Sequence, residues 1–309
     1  MKAIRIHEFG GPDVLSIDEI PVPQPEKDEV LIRVHATSVN PVDWKIREGY
    51  RKEKFPSKLP LILGWDVSGV IEALGDKVGH FRKGDEVYGR PDPTKNGAYA
   101  EYIVVKANLL SIKPISIGHT EAAAVPLAGL TAWQGLFDHG LLKEGQKVLI
   151  HAAAGGVGTY AVQFAKNKGA YVIGTASDQN IDFLKRLGAD EVIDYNMESF
   201  ENILHDIDLV LDTIGGDTQL KSIDVLKPGG RLITTLAPEF VNEAKAKNIH
   251  LSSYMAQSIP KQLEEIAQLI DAGKVKPVID QVLPFTEARK AHLSNEQGHT
   301  RGKIVLQVI

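Results

Sequence analysis

Three closely spaced glycines give this chain its clearest chemical signal. They follow a short apolar run, Val148 to Ile150, and directly precede a helical pattern. A strand, a glycine turn and a helix N-terminus in this order form a site for the pyrophosphate of a dinucleotide, because glycines allow close approach and the helix N-terminus attracts an anion. The predicted cofactor contacts in this turn are Ala154, Gly155, Gly156, Val157 and Gly158.

The elements that must position this turn can be recognised on both sides of it. Ala161, Phe164 and Ala165 lie on one face of the predicted helix, and Gly169 is placed to end it. A second extended run, 171–175, follows at the distance that a βαβ unit requires. The first glycine of the usual GxGxxG pattern is replaced by Ala153, so the alternative is a glycine turn that binds no ligand.

The turn and several distant segments resemble those of a known enzyme family. Residues with the family's spacing are Gly145, Gln146, Leu149, Ala153, Ala154, Gly155, Gly156, Gly158, Gln163 and Lys166. Similar segments are the opening MKAIRIHEFGGPDVL, VNPVDWKIREG at 39–49, LGWDVSGVI at 63–71 and the closing RGKIVLQV. Over nearly its whole length the chain resembles the quinone oxidoreductase branch of the medium-chain dehydrogenase/reductase superfamily.

Two kinds of pattern divide the chain into domains. Short extended runs separated by Pro and Gly dominate residues 1–125, whereas residues 126–271 alternate apolar runs with helical stretches. We predict an α/β protein with a Rossmann-type, doubly wound parallel sheet in 126–271, whose strands are 148–151, 171–175, 191–193, 208–212 and 230–234. The resemblance implies that residues 1–125 form a β-rich, GroES-like catalytic domain, completed by 272–309.

The end of the second predicted strand bears on the choice of dinucleotide. An acidic residue there would bind the ribose hydroxyls of NAD and repel a 2′-phosphate, but this strand ends in Ser177. We therefore expect NADPH rather than NADH, with contacts from Ser177 and Asn180. Asp178 weakens this preference because it brings a negative charge to a place where relatives commonly carry a lysine. By resemblance, Tyr195 flanks the adenine or its ribose.

The resemblance also implies which residues meet the nicotinamide end of the cofactor. These are Asn40, Thr131, Ile214, Leu236 and Ala237. Asn40 has an alternative role as the organiser of a turn before Pro41, and Thr131 has one as the cap of a helix after Gly129. The active site is expected in the cleft between the domains, since ligand sites form at domain boundaries and at the carboxyl ends of parallel strands.

The chemistry expected of such a site is direct hydride transfer. The protein must position the two reactants and stabilise the oxyanion that develops on the acceptor. Candidate catalytic donors are the Asn40 amide, the Lys45 ammonium group and the Tyr50 hydroxyl group. Lys45 also has two structural interpretations, as a solvated surface charge or as a partner of Asp43. The acceptor should depend on loops around 45–60, 90–97 and 238–260.

Residue types argue against a catalytic metal. The chain has no cysteine, and its ten histidines include no HExxH pair. Zinc enzymes of the superfamily hold zinc with cysteine and histidine and carry Gly-His-Glu where this chain has Gly64-Trp65-Asp66. We therefore predict no metal. Asp66 is expected to brace its loop as a buried carboxylate, and His151 to form hydrogen bonds where it faces the cofactor phosphates.

Composition limits the partners. The 309 residues are 43% hydrophobic and carry a formal net charge of −5 without a basic stripe, so no nucleic-acid partner is expected. No signal sequence and no long apolar run is recognised, so we predict a cytoplasmic protein with no membrane partner. By resemblance we expect a homodimer, formed through an edge strand around 249–253.

These expectations define one function and one alternative. The first is a zinc-independent, NADPH-dependent oxidoreductase that transfers a hydride to quinones or α,β-unsaturated carbonyls, with enoyl thioesters as a further acceptor class. The alternative is a catalytically weak NADPH-binding redox sensor or binding protein, which would keep the same glycine turn. Turnover in the presence of an acceptor distinguishes the two.

Overall fold

The chain forms two compact units. A computed structural model describes residues 1–50 and 58–309. One unit combines Met1–Leu127 with Ser258–Ile309, and the other is Ala128–Gln257. The first unit is thus built from both ends of the chain, and the second is the uninterrupted middle.

The first unit is rich in strands. Those described are β1 (Lys2–Ile6), β2 (Leu15–Glu19), β3 (Glu29–Val39), β4 (Leu61–Ile62), β5 (Val67–Leu74), β6 (Glu86–Gly89), β7 (Tyr102–Lys106), β8 (Leu110–Ile112), β15 (Ile279–Pro284) and β16 (Lys303–Gln307). One sheet has the order β2-β1-β4; the other has the order β15-β16-β3-β5-β6-β8, with β7 also paired to β3. The described pairings are antiparallel except that of β15 with β16, which is parallel. Because β16 pairs with β3 in antiparallel register, the C-terminal tail completes a sheet begun near the N-terminus.

The long strand β3 shows why this sheet has a core. Val30, Ile32, Val34 and Ala36 occupy alternate positions and are fully buried. Side chains alternate between the two faces of a strand, so Val30, Ile32 and Val34 share one face, where they pack with residues of β5 and β6. Ala36 packs instead with Ala123, Ala124 and Val305.

Helices α1 (Pro41–Arg47), α2 (His119–Ala123), α8 (Pro260–Asp271) and α9 (Ala288–Glu296) also lie in the first unit. The sequence pattern had placed residues 260–271 in the second domain, and the structure corrects this. Leu263, Ile266 and Ile270 form the buried stripe of α8, and the Tyr88 hydroxyl group donates a hydrogen bond of 2.6 Å to the Leu263 carbonyl. The helix therefore packs on the strands of the first unit.

The second unit is the predicted doubly wound sheet. Its strands are β9 (Lys147–Ile150), β10 (Tyr171–Ala176), β11 (Glu191–Asp194), β12 (Ile207–Asp212), β13 (Leu226–Thr234) and β14 (His250–Ser253). All pairings are parallel, in the order β11-β10-β9-β12-β13-β14. The order reverses at β9, which lies between β10 and β12. In such sheets ligands bind at the carboxyl ends of the strands beside this reversal.

Helices cover this parallel sheet. They are α4 (Gly156–Asn167), α5 (Ile181–Leu187), α6 (Asp217–Val225) and α7 (Val241–Ala246). Helix α3 (Pro126–Trp133) contains the boundary between the units and continues into a π-helical turn, Gln134–His139. In residues 1–50 and 58–309, no helix combines the length and apolar character needed to cross a membrane.

Candidate cofactor and active site

The glycine turn has the geometry that close backbone approach requires. Strand β9 ends at Ile150, and α4 begins at Gly156, after Gly155 in an extended conformation. Ala152 adopts a positive φ of 49°, which few residues other than glycine adopt. A Cβ atom on Gly158 would lie 2.3 Å from the Ala152 carbonyl oxygen, so only glycine lets the helix pack this closely on the strand end.

The first turn of α4 fits the pyrophosphate of a dinucleotide. The amides of Gly156, Val157 and Gly158 are at the start of the helix, where N–H groups have no intrahelical acceptor. Gly155, Gly156 and Val157 are partly exposed, and Ala154 is 8% exposed. The helix has 12 residues, so its aligned peptide dipoles add to the attraction for an anion.

The residues predicted at the adenosine end follow the ends of β10 and β11. Ser177 precedes a short 3₁₀ turn and accepts a hydrogen bond of 3.1 Å from the Asn180 side-chain amide. Its own hydroxyl hydrogen is then directed away from Asn180 and can donate to a phosphate or ribose oxygen. Tyr195 is 57% exposed, and Asp178 is exposed as well.

Three of the residues predicted at the nicotinamide end, Ile214, Leu236 and Ala237, lie in the loops after β12 and β13. Ile214 is 52% exposed, and the Asp212 carboxylate holds its amide at 2.8 Å. The Leu236 amide donates to the Thr234 hydroxyl group at 3.1 Å, and Ala237 is exposed. The structure thus brings the predicted phosphate and adenosine contacts, together with Ile214, Leu236 and Ala237, to the same carboxyl edge of one sheet.

Gln219 is a buried residue that sequence analysis did not identify. Its side-chain nitrogen is 3.3 Å from an Asp212 carboxylate oxygen and 3.2 Å from the Ala237 carbonyl oxygen, and its side-chain oxygen accepts from the Glu239 amide at 2.8 Å. One amide side chain therefore links the loop after β12 to the loop after β13. The available signal was a polar residue on the buried face of α6.

His151 contacts the protein rather than the cofactor site, which corrects the expectation that it faces the phosphates. The ring is 2% exposed, and its nitrogens lie 3.1 Å from the Thr175 hydroxyl oxygen and 2.9 Å from that of Ser222. Ser222 already donates to the Thr218 carbonyl, so His151 Nε2 carries the hydrogen. Burial lowers the His151 pKa to about 4, against an opposing effect of Asp212.

Thr131 lies inside α3 and is 8% exposed. This position excludes the helix-capping alternative, because a cap precedes the first helical residue. The Thr131 carbonyl accepts a hydrogen bond of 2.5 Å from the Tyr254 hydroxyl group.

In the first unit, Asn40 is held by a buried polar network. It is 4% exposed; its side-chain nitrogen donates to Asp66 at 2.7 Å, and its side-chain oxygen accepts from the Lys303 ammonium group. Asp66 also accepts from Ser38 at 2.5 Å and from the Leu127 amide at 2.7 Å. Asp66 therefore makes the bracing contacts predicted for it, and Asn40, directly before α1, has a fixed orientation.

A second buried hydrogen-bond network, which includes Asp43, supports the segment around Asn40. Arg47 donates to Nδ1 of His292 at 3.0 Å, so His292 donates from Nε2 to the Tyr99 hydroxyl oxygen, 3.2 Å away. Asp43 accepts from the amides of Asn40 and Gly64, at 2.8 and 3.2 Å. Burial raises the Asp43 pKa to about 7, and burial lowers the His292 pKa to about 3. These groups have structural contacts, as predicted for Asp43.

The other two predicted catalytic residues lie on and just after α1. Lys45 is half-buried, and its ammonium nitrogen is 5.4 Å from the centre of the Trp44 ring. Tyr50 is 72% exposed, with its ring edge-on to Trp44. Residues 51–57 of the predicted 45–60 loop lie outside the described residues.

The described residues contain no group of three or more His, Cys, Asp or Glu side chains placed to hold a metal ion. Zinc independence stays a prediction, which metal analysis of the purified protein tests.

We expect Gln219→Met to weaken NADPH binding about tenfold, because the variant breaks the link between the two loops and leaves the Glu239 amide without its acceptor. Binding of 2′,5′-ADP, which carries only the adenosine half, should stay unchanged. Fluorescence titration of both ligands checks this, with Gln268→Met on the exposed face of α8 as the control. An equal loss for both ligands would instead indicate general damage to the fold.

We expect acid to destabilise the protein partly through His151. The unfolded imidazole binds a proton below about pH 6.5, whereas the native ring resists protonation down to about pH 4. Stability contributed by this group is therefore complete above pH 6.5 and falls as the pH falls towards 4, by about 1.4 kcal/mol per pH unit. Urea unfolding at several pH values in this range gives the free energy of unfolding as a function of pH. The slope of that dependence should be smaller by the equivalent of one proton in His151→Gln than in the unmodified protein. Equal slopes in the two proteins would contradict the assignment.

Comparisons with known proteins identify the family. Residues 26–116 match the alcohol dehydrogenase GroES-like domain, and residues 187–306 match the family described as zinc-binding dehydrogenase. The chain is 36% identical to the mitochondrial NAD(P)H oxidoreductase RTN4IP1 of Mus musculus, over 100% of this chain and 89% of that protein. It is also 36% identical to the chloroplastic NADPH-dependent alkenal/one oxidoreductase of Arabidopsis thaliana, over 100% and 80%.

Solved structures agree with this assignment. The quinone oxidoreductase of Coxiella burnetii is 38% identical, with a TM-score of 0.94 over 100% of this chain and 99% of that one. The Escherichia coli quinone oxidoreductase complexed with NADPH is 28% identical, with a TM-score of 0.91 over 100% of both chains. The α/β fold with a GroES-like unit and a Rossmann unit is thereby confirmed. The chain belongs to the quinone and enone oxidoreductase branch of the medium-chain dehydrogenase/reductase superfamily.

Proposed function

We propose that this protein is an NADPH-dependent oxidoreductase that transfers a hydride to quinones or to α,β-unsaturated carbonyl compounds. The observation that carries the proposal is the glycine turn at the start of α4, with Gly158 packed against Ala152. Relatives named as quinone and alkenal/one oxidoreductases, similar over the whole chain, support the choice of acceptor class.

The described residues fit NADPH in three places. The first-turn amides of α4 would hold the pyrophosphate, Ser177 would donate to the ribose or its 2′-phosphate, and Leu236 with Ala237 would lie beside the nicotinamide. When bound, the cofactor supplies a hydride. The acceptor gains this hydride and one proton from water, and becomes a hydroquinone or a saturated carbonyl compound.

The chain's own task is then to orient the acceptor and stabilise negative charge on its oxygen. We propose Asn40, Lys45 and Tyr50 for this role. One hydrogen of the Asn40 amide goes to Asp66 and the second stays available, in an orientation set by Lys303. Lys45 offers a full charge beside the Trp44 ring.

Several finer statements stay predictions. We propose a preference for NADPH over NADH, a homodimer formed through the edge strand β14, and a cytoplasmic location. Relatives named as mitochondrial and chloroplastic make the location worth direct measurement.

The function is tested by NADPH oxidation, followed by absorbance after chelator treatment, against a panel of quinones and short enones, and repeated with NADH. We expect turnover that survives chelation and favours NADPH. Gly156→Asp should abolish both turnover and NADPH binding, because its carboxylate would lie against the pyrophosphate. The control is Gly79→Asp, in an exposed loop where a Cβ meets no atom within 4 Å.

Two results would contradict the proposal. Unchanged NADPH affinity in Gly156→Asp would remove the glycine turn as the binding site. Binding of NADPH without turnover on any acceptor would favour the sensor or binding protein.

We expect Lys45→Ala to lower turnover on enones about tenfold while NADPH affinity stays within twofold, because a charge near the acceptor acts on the developing oxyanion and not on the cofactor. Lys45→Arg should restore part of the rate. Lys83→Ala, which removes an exposed lysine of the same unit, is the control. Equal enone turnover in Lys45→Ala and the unmodified protein would assign Lys45 to the surface.

A further inference from the structure

Arg90, directly after β6, has surroundings unusual for an arginine. It is 4% exposed, and its guanidinium carbon lies 5.0 Å from the centre of the Trp65 ring. One terminal nitrogen, Nη1, donates to the Ser258 hydroxyl group at 3.1 Å, and that hydroxyl group donates to the Arg90 carbonyl at 2.9 Å. Arg90 and Ser258 stand in two of the loop segments expected to determine the acceptor, and Trp65 precedes Asp66.

The rest of the guanidinium group has no partner among the described residues. Nε is buried without a hydrogen bond, and Arg90 forms no ion pair with a carboxylate of residues 1–50 or 58–309. Stacking on an indole ring is worth about 2 kcal/mol when desolvated. Burying an unpaired charge costs several kcal/mol. The stacking therefore does not by itself offset the cost of burying this charge.

Asp66 does not account for this charge. Its carboxylate already accepts hydrogen bonds from Ser38, Asn40 and the Leu127 amide, and Lys303 lies 3.6 Å away. Burial lowers the Arg90 pKa, and the charges of Asp66 and Asp92 oppose that effect. A guanidinium group stays protonated in proteins.

Arg90 lies in the same unit as the buried network that holds Asn40. Trp65, on which it stacks, is the neighbour of Asp66, which holds the Asn40 amide at 2.7 Å. The side-on edge of a guanidinium group, formed by Nε and Nη2, presents two parallel N–H groups to an oxygen. In Arg90 this edge forms no hydrogen bond with the part of the chain that the structure describes.

We propose that the Nε and Nη2 edge of Arg90 binds the carbonyl oxygen of the acceptor and stabilises the negative charge that develops there. This inference rests on the proposed hydride transfer and names the group that recognises the acceptor. As the hydride reaches the acceptor carbon, the carbonyl π electrons move to oxygen, Arg90 donates hydrogen bonds to that oxyanion, and water then supplies the proton. Acceptors must therefore carry a carbonyl oxygen.

Arg90→Met tests the proposal in the full-length protein, since methionine keeps contact with Trp65 but removes the donors. We expect kcat/KM on quinones and enones to fall about 100-fold, the usual loss for one oxyanion donor, with NADPH affinity within twofold. Arg90→Lys keeps the positive charge but lacks the paired Nε and Nη2 donors. Its kcat/KM should reach at most a tenth of the value of the unmodified protein. Arg82→Met, which removes an arginine with an 89% exposed side chain, is the control.

A second measurement does not depend on turnover. With NADP⁺ present, the absorbance of 4-nitrophenol reports whether the protein binds its phenolate form. The unmodified protein should favour the phenolate, and Arg90→Met should bind it at least tenfold more weakly. If the unmodified protein shows no turnover but binds phenolate in this Arg90-dependent way, the proposed function fails and the oxyanion site stands.

Thermal unfolding separates a structural role from the proposed one. Because the variant removes a buried unpaired charge, the melting temperature of Arg90→Met should be equal to or higher than that of the unmodified protein. A lower melting temperature combined with full turnover would overturn the proposal. Full turnover in Arg90→Lys, or phenolate binding that is equal in all variants, would overturn it as well.

Discussion

The close packing of Gly158 against the Ala152 carbonyl fixes where the first turn of α4 lies relative to the end of β9. Because no Cβ intervenes, the first turn of α4 lies directly on the end of β9. β9 is also the strand at which the order of the parallel sheet reverses. The first-turn amides of α4, which we propose as the pyrophosphate site, are thus placed between the loops after β10 and β12, and a dinucleotide held there would extend along the carboxyl edge of this sheet.

Loops at that edge are held by buried side chains rather than by regular structure. Asp212 and Gln219 join the loops after β12 and β13, and His151 joins the end of β10 to α6 through Thr175 and Ser222. Each such hydrogen bond contributes about 1 kcal/mol, but a buried group left without its partner costs about 1–3 kcal/mol. Because any other loop conformation would leave buried polar groups without partners, these hydrogen bonds favour one conformation of the loops without close apolar packing.

Much of the fold could be predicted from the sequence because it follows short patterns. The apolar runs, the glycine turn and Gly169 after α4 specify the parallel sheet from local residues alone. The assignment of α8 failed because an amphipathic helix does not reveal which unit covers its apolar face, and that depends on a distant contact from Tyr88. Lys303 and Arg90 were missed for the same reason, because Asn40 and Ser258, which they contact, lie far away in sequence. Gln219 was missed because its partners lie in two separate loops whose approach the sequence does not show.

Charge pairing inside the first unit separates structural from functional cations. Lys303 lies beside Asp66 and contacts Asn40, and Arg47 pairs with both Glu48 and Glu296. In both cases, carboxylates of the same unit offset the cost of removing the cation from water. Within residues 1–50 and 58–309, the Arg90 guanidinium group contacts the Ser258 hydroxyl group and the face of Trp65 and forms no ion pair. A site that must stabilise charge on an acceptor oxygen needs a donor whose hydrogen bonds are not already used, and among these three buried cations Arg90 alone meets that condition.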